Sequence, residues 1–446
     1  MKRLTGALLL TLIMSCFSVL VPSSPANALQ GDVLWSHALD TTYVSGSGGS
    51  FSGTGVVTHG DGSVTATACG TNQSMDDAQS RTLSATKDVV GNITGLQDGA
   101  ICYGRGVTGL DGTLFYTERL NMSNYNRKVV VTKNGTRIAE HSFTYQCNGT
   151  GTVYYAYPDA FTIGADGNAY ALLNRSSCTN TPSQLLSLNV QTGQVRFLET
   201  LSSGAKYQSY YSIGVYDSGV VVAEDNTSQS APDLLTYYSY AGAKNETLSC
   251  SIDGTTDACG FSLGGASIGT VTKLSVKLDG TVYLETYKYA TGTCPVQYRT
   301  LKYTMAGVAT STVRPSVCTG TLLDITPQGY LLYYYNYNVV VMDDSGVVQY
   351  QGALNSKPGY VMFKYPGSNE IMMDSNGNIY AMRIARLNAA TNARNIYFDR
   401  LNTDGTWTTE FSTEQLPNPN GDKFYVDPAR NVLYAAFGED SLYMAI

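Results

Sequence analysis

Charged residues stand near the ends of several β-rich runs: Glu118, Glu224 with Asp225, Glu285 and Arg383. Two carboxylates held about 5–10 Å apart can hydrolyse a glycosidic bond, one as acid and the other as base or nucleophile. A fold that gathers strand ends around one axis could bring such a pair together. The competing reading is that these charges are solvated strand ends. Tyrosine offers a second chemistry, with 34 in the chain and clusters at 207–211, 237–240, 283–289 and 330–337. A ring with a polar tip suits glycan stacking or peptide capture, and it equally packs one sheet against the next. Strand tyrosines are expected to pack, which leaves Tyr207, Tyr210 and Tyr289 as the candidate ligand contacts. Asp324, Lys273 and Lys277 are expected along a central channel, where buried charge needs partners or water. The Gly-x-Ser-x-Gly string occurs at 260–264 and 265–269, but a nucleophile elbow needs a strand running into a helix, and few stretches of this chain can hold a long amphipathic helix, so no serine triad is assigned. The chain lacks Cys-x-x-Cys and has only three histidines, so structural zinc is not expected. Asp374-Ser-Asn-Gly377-Asn378 has neither the spaced acids nor the distal Glu of a calcium loop. No catalytic set, metal or cofactor is assigned.

The elements that must position these residues are β-strands. The 446 residues are 43% hydrophobic and only 14% charged, with 45 glycines, against about 25% charged in a typical soluble domain. A net charge of −7 argues against nucleic acid, which requires clustered Lys and Arg. Lys2 and Arg3, an apolar run from Leu4 to Val21, and Ala26-Asn-Ala28 form the pattern of a secretory signal peptide over 1–28. A lipoprotein signal acylated at Cys16 is the competing reading. No later window is long and apolar enough to span a membrane. The expectation is a secreted or cell-exterior monomer. Beyond residue 28 there are eight cysteines, Cys69, Cys102, Cys147, Cys178, Cys250, Cys259, Cys294 and Cys318. An even count in an exported chain reads as disulfides.

One element recurs through the chain, a β-rich run, a tight turn ending in Gly or Asn, and another β-rich run. Its copies turn at Gly62, Gly112, Gly167, Gly219, Gly280, Gly329, Gly377 and Asn431, at intervals of 48 to 61 residues. Asp-Gly or Asn-Gly between β-branched and aromatic runs signals a hairpin. A second hairpin lies inside each interval, turning at Val90-Gly-Asn92, Asn134-Gly-Thr136, Thr192-Gly-Gln194, Ala241-Gly-Ala243, Ala306-Gly-Val308, Ser345-Gly-Val347 and Asp404-Gly-Thr406. Two hairpins per unit make a four-stranded antiparallel blade. The last unit stops one strand short, while residues 29–40 form an unassigned strand followed by a Gly/Ser-rich linker, 41–53. The all-β expectation is an eight-bladed β-propeller over 29–446, closed by this N-terminal strand completing the last blade, with seven blades as the alternative.

Asp374-Ser-Asn-Gly-Asn-Ile-Tyr380 and Ala165-Asp-Gly-Asn-Ala-Tyr170 resemble the Asp-x-x-Gly-Asn-hydrophobic-Tyr signature of secreted bacterial β-propellers related to the NHL and SMP-30-like groups. The resemblance implies a fold and an exported setting, and carries no catalytic residue across.

With tight turns on one face, the connections between second and third strands and between blades fall on the other. There they are expected to be long, as at 174–184, 225–233 and 385–394. Long loops on a rigid scaffold are where binding groups sit. The repeat assignment puts all eight cysteines on this face and predicts pairs 69–102, 147–178, 250–259 and 294–318. The functional expectation is a non-enzymatic binding or adhesion propeller recognising a glycan, peptide or cell-surface protein through that face. The alternative is an extracellular carbohydrate hydrolase or lyase using paired carboxylates.

Overall fold

The computed structural model describes residues 33–38 and, between 50 and 445, the strands named below with many of the turns that join them; side chains are described within 113–412. Residues 1–28, expected as a leader, together with Tyr207, Tyr210, Cys147, Cys178, Cys294 and Cys318, lie outside the described residues. Among those described, the chain forms eight antiparallel sheets of four or five strands, numbered I to VIII. Sheet I holds Ser50–Thr58, Val64–Thr71, Asp77–Leu83 and Val89–Ile93. Sheet II holds Ile101–Cys102 and Val107–Thr108, then Leu114–Asn121, Asn124–Lys133 and Thr136–His141. In sheet III, Val153–Ile163, Ala169–Asn174, Gln184–Leu188 and Val195–Thr200 are joined by Phe143–Gln146 alongside the first strand. Sheet IV has Ala205–Lys206 and Ile213–Tyr216, then Gly219–Asn226, Leu234–Ser239 and Cys250–Ser251. Sheet V has Thr270–Val276, Val282–Tyr289, Val296–Tyr303 and Ala309–Val313. Sheet VI has Thr321–Ile325, Leu331–Tyr335, Asn338–Met342 and Val348–Ala353. Sheet VII has Val361–Lys364 and Ile371–Met373, then Ile379–Arg386, Asn395–Leu401 and Trp407–Thr413. Sheet VIII has Gly421–Asp427, Val432–Phe437, Asp440–Ala445 and, as its fourth member, Val33–Ala38. That N-terminal strand runs antiparallel to the last one, with Trp35 opposite Tyr443 and His37 opposite Ser441.

The architecture is that of a β-propeller, and its core is divided. Each apolar cluster joins two consecutive sheets. Phe115, Val129 and Val131 meet Ala169, Ala171 and Leu173 between II and III. Tyr170 and Leu172 turn the other way, onto Val220 and Val222 of IV. Alternate residues of one strand thus serve two interfaces, which is why such strands read as unbroken apolar runs. The remaining clusters join IV to V, V to VI and VI to VII. Tyr116, Tyr170, Tyr237, Tyr283 and Tyr333 are the largest fully buried side chains. First strands also touch in sequence order from sheet to sheet, and Gly421–Asp427 of VIII lies against Ser50–Thr58 of I.

The tight turns share one geometry. At 277–281 the Gly280 N–H donates to the Lys277 carbonyl and the Lys277 N–H to the Thr281 carbonyl, both at 2.9 Å. The same closure recurs at 304–308, 326–330, 343–347, 374–378 and 402–406. This is the three-residue hairpin in which a type I turn ends on a left-handed residue. Nine expected turn glycines accordingly have φ between 68° and 90°. The Asp-Asn-Tyr signature is a clasp on this turn. Asp374 accepts from the Asn376 and Asn378 N–H groups at 2.9 Å and from Asn378 Nδ2 at 2.8 Å. Asp166 accepts from Asn168 Nδ2 and the Tyr170 hydroxyl, both at 2.8 Å, and pairs with Arg196 at 3.0 Å.

Several expectations need correction. Gly91 and Asn92 lie inside the strand Val89–Ile93, paired with Thr82 and Arg81, so the second turn of sheet I falls at 84–88. Residues 50–53, expected in the linker, already belong to Ser50–Thr58, whose small residues pair with 68–71. The second-to-third connections are not uniformly long: 122–123, 336–337 and 438–439 are two-residue hairpins. First strands are irregular throughout. Those of I, III, V, VI, VII and VIII carry a register shift, skipping residues 54, 159, 272, 323, 363 and 422. Those of II and IV are broken in two. Such bulges bend a strand and re-aim its side chains.

Candidate functional site

The strand-end charges are not solvated where their side chains are described. Glu224, Glu285 and Arg383 are only 2%, 1% and 2% exposed. For Glu285 the cover comes from the next sheet, so a position that would be wet in an isolated hairpin is closed over. Glu285, in the second strand of V, reaches into VI, where both carboxylate oxygens accept from the Leu322 N–H at 3.1 and 3.0 Å. Directly across the ladder from Glu285 stands Lys273. Its ammonium donates to the carbonyl of Leu323, the residue skipped by the bulge of VI. Thr300 and Tyr333 share a hydroxyl–hydroxyl contact across the same interface. Arg383 in VII pairs with buried Asp399 at 2.9 Å and lies 5.1 Å over the Trp407 ring. Asp399 also accepts from Thr409 Oγ1 at 2.6 Å. Glu224 belongs to IV, beside Tyr238, whose hydroxyl is pushed upward by burial first and by the Glu224 charge second.

Glu285, Lys273 and Asp324 are therefore gathered at one corner between V and VI, whereas Glu224 and Arg383 lie on other sheets. Glu118, Asp225 and Tyr289 occupy strands, opposite Lys128, Lys206 and Val296, with side chains outside the described set. Cys69 and Cys102 likewise occupy strands of I and II. Cys250 and Cys259 form the expected disulfide, with Cα atoms 5.2 Å apart.

Lys273 and Asp324 oppose each other electrostatically in a tight space. Burial lowers the Lys273 ammonium to about 8, against an opposing pull from Asp324. Burial raises the Asp324 carboxyl, offset by the Ile325 N–H at 2.8 Å and by Lys273. Asp324 is open to water yet walled by protein, as befits a side chain on the innermost strand. Burial pushes each group toward its neutral form, and the charge of each opposes that shift in the other.

A second feature lies on the tight-turn side, where sequence reasoning did not look. A cleft of about 450 Å³ opens between V and VI, lined by Lys277, Lys302, Gln328, Tyr330 and Asp343. Lys277 stands where the first strand of V enters its turn. Lys302 comes from the third strand, its ammonium 5.6 Å over the Tyr283 ring. Gly329, at φ +90°, lies close to Lys277, since a Cβ there would sit 3.2 Å from Lys277 Nζ. The Asp279 carboxyl is held low mainly by its bond from the Thr281 N–H, and further by Lys277 and Lys302. Lysines flanking adjacent turn motifs were the available signal, but only the fold shows that Lys277 and Lys302 meet. Among the described residues no group of three or more His, Cys, Asp or Glu is placed to hold a metal.

No protein-family model and no curated protein matches this sequence. Among solved structures, the chain is similar to a prolyl endopeptidase at 11% identity and a TM-score of 0.47, covering 87% of this chain and 55% of that one. It is similar at 12% identity to a gluconolactonase from Xanthomonas campestris, over 68% and 96% of the two chains with a TM-score of 0.32. Drosophila Plexin A in complex with Semaphorin 1b shows 10% identity over 94% and 88%, with a TM-score of 0.35. At these identities the likenesses assign no chemistry.

Proposed function

We propose that the protein is an exported, monomeric propeller of eight blades that binds an extracellular glycan, peptide or cell-surface protein without transforming it. The observation that carries this reading is the fate of the strand-end acids. Glu224 and Glu285 are closed into the packing, and the Glu285 carboxylate is engaged by the Leu322 N–H. A carboxylate used to hold a neighbouring strand is withdrawn from substrate, whereas glycoside hydrolysis needs two that face it.

Support for eight blades comes from the order of contacts, which runs from I through VIII and back to I. The strand Val33–Ala38 completes VIII beside Asp440–Ala445. Support for export comes from the leader over 1–28 and from the 250–259 disulfide, a bond that persists in oxidising compartments. The other pairs in this reading are 69–102, 147–178 and 294–318. The connections between second and third strands are long at 175–183, 227–233, 290–295 and 387–394, in sheets III, IV, V and VII, against two residues in II, VI and VIII. Tyr207, Tyr210 and Tyr289, with Glu118 and Asp225, are the contacts assigned to the long-loop face.

The test is a glycan and peptide array probed with the mature chain, followed by product analysis on every hit. Saturable binding that leaves the ligand intact is the expected result. Turnover abolished by Glu118→Gln or Glu285→Gln would replace this reading with the hydrolase.

A further inference from the structure

We infer that the Cys250–Cys259 disulfide is a redox-operated latch on the outer edge of sheet IV. Oxidised, it holds that edge shut; reduced, it releases the edge to pair with a second copy of this chain. The inference goes beyond the reading of the protein as a binding module and holds whatever ligand is bound.

Sheet IV differs from the rest at its rim. Among the described strands, the outermost of the other seven sheets has five to seven residues. In IV it has two, Cys250 and Ser251, which stand opposite Leu235 and Leu234. The remainder of the third strand is covered by other means. The Asn245 N–H donates to the Tyr237 carbonyl at 2.8 Å, and the Tyr237 N–H donates to Ser249 Oγ at 3.1 Å. Asn245 caps a single turn between these bonds. Its Oδ1 accepts from the Thr247 and Leu248 N–H groups at 3.1 and 3.2 Å. Its carbonyl accepts from the Ser249 N–H at 3.0 Å and the Ser249 hydroxyl at 2.7 Å. One turn and two ladder pairs stand in for a whole strand, and an element with so few contacts opens readily.

The disulfide sits at the foot of this segment. Cys250 is half-buried, whereas Cys259 is 3% exposed and packs with Ile252 and Phe261 in the core shared by IV and V. The Cys259 N–H also donates to the Ser251 carbonyl at 3.0 Å. The bond therefore ties a weakly held edge to a well-packed core. A dithiol reductant approaches from the Cys250 side. One of its thiolates attacks Cys250 Sγ, forms a mixed disulfide and expels Cys259 as a thiolate, which takes up a proton. Its second thiol then displaces Cys250 as a thiol, and the reductant departs as a disulfide. Two electrons and two protons have passed to the protein. Cys259 stays in the core as a small apolar side chain, so the loss falls on the edge.

The strand uncovered in this way, Leu234-Leu-Thr-Tyr-Tyr-Ser239, carries no charge, Gly or Pro, the composition of segments that pair edge to edge. The Tyr237 N–H and carbonyl lose their partners when the turn lifts. An edge with open N–H and C=O groups recruits another strand. The same strand of a second copy, antiparallel about a two-fold axis, offers the matching set. While the latch is shut, the ion-paired Lys244 and Glu246 stand on the covering segment, charges of the kind that keep edges apart. In an oxidising compartment the bond persists and the edge stays closed.

The test is hydrogen exchange read by mass spectrometry on Cys250→Ala/Cys259→Ala, which leaves the other cysteines untouched. At low protein concentration the amides of 234–239 should exchange faster than in wild type by about tenfold or more, while 282–289 of sheet V keeps its protection. Raising the concentration should restore protection at 234–239 in step with the dimer seen by sedimentation velocity. Wild type pulsed with dithiothreitol should behave alike, with alkylation and peptide mapping identifying Cys250 and Cys259 as the thiols released. Unchanged exchange at 234–239 overturns the proposal. So does loss of protection throughout IV and V, which would make the bond a plain structural staple. A double variant that opens at 234–239 but stays monomeric, or associates without regaining protection there, overturns the pairing with a second copy.

Discussion

Glu285 shows how one side chain joins two sheets. Its carboxylate accepts from the Leu322 N–H, a group without an antiparallel partner of its own on that side. Glu285→Ala should strand this buried donor and cost about 1–3 kcal/mol, whereas Glu285→Gln retains an acceptor and should cost less. Urea unfolding of the two variants checks the order, and equal losses would mean that charge rather than hydrogen bonding matters. Lys273 makes a pH-dependent contribution beside it. Its ammonium is lowered from an ordinary 10.5 to about 8, so between those values the unfolded chain binds more protons than the folded one. Stability must then rise with pH across that window, and the burial penalty is fully present below about 8. Unfolding free energies of wild type relative to Lys273→Met should increase from pH 7.5 to 9.5, and a flat difference would count against the burial of Lys273. A linear sequence places Glu285 and Lys273 near strand ends and on facing strands. It cannot show that the next sheet closes over them, because that cover is supplied by Leu322 and Leu323, well separated along the chain.

At the level of elements, hairpins were the legible part. Asp-Gly and Asn-Gly pairs demand a left-handed residue, and the glycines at 167, 280, 377 and 405 adopt it. Val90-Gly-Asn92 misled because a Gly can also sit within a strand, where Gly91 pairs with Thr82. Bulges were illegible, since two residues opposing one is a property of the pairing and not of either strand. The turns also differ in what surrounds them. A Cβ on Gly167 meets nothing within 4 Å, whereas one on Gly405 would lie 2.3 Å from the Gln351 carbonyl oxygen. Gly167→Ala should therefore cost only the left-handed backbone strain, roughly 1–2 kcal/mol. Gly405→Ala should cost more, because it also pushes VII away from VI. Thermal unfolding separates these cases, and a milder Gly405→Ala would refute the close approach of the two sheets.

The whole molecule turns on where its chain ends meet. Counting hairpins exposed the need for closure, as eight first turns stood against seven second ones. The geometry answers with Val33–Ala38 beside Asp440–Ala445. Without that strand, Asp440–Ala445 would present a row of unpaired N–H and C=O groups, an edge that recruits other chains. Removing residues 29–40 from the mature protein should therefore lower the unfolding midpoint and produce concentration-dependent self-association, both visible by light scattering during a thermal ramp. Truncation alone could act by merely exposing apolar surface, so a gain-of-function variant is the sharper probe. His37 and Ser441 are directly paired, and His37→Cys/Ser441→Cys should cross-link on oxidation and raise the midpoint, because the bond closes a loop spanning nearly the entire domain. Its reduction should return the midpoint to the wild-type value. Shifting one partner by a residue, as in His37→Cys/Leu442→Cys, turns that side chain to the opposite face of the sheet and should abolish the cross-link. Equal cross-linking of both pairs would mean that the N-terminal strand is not held in register, and the ring would then have to close some other way.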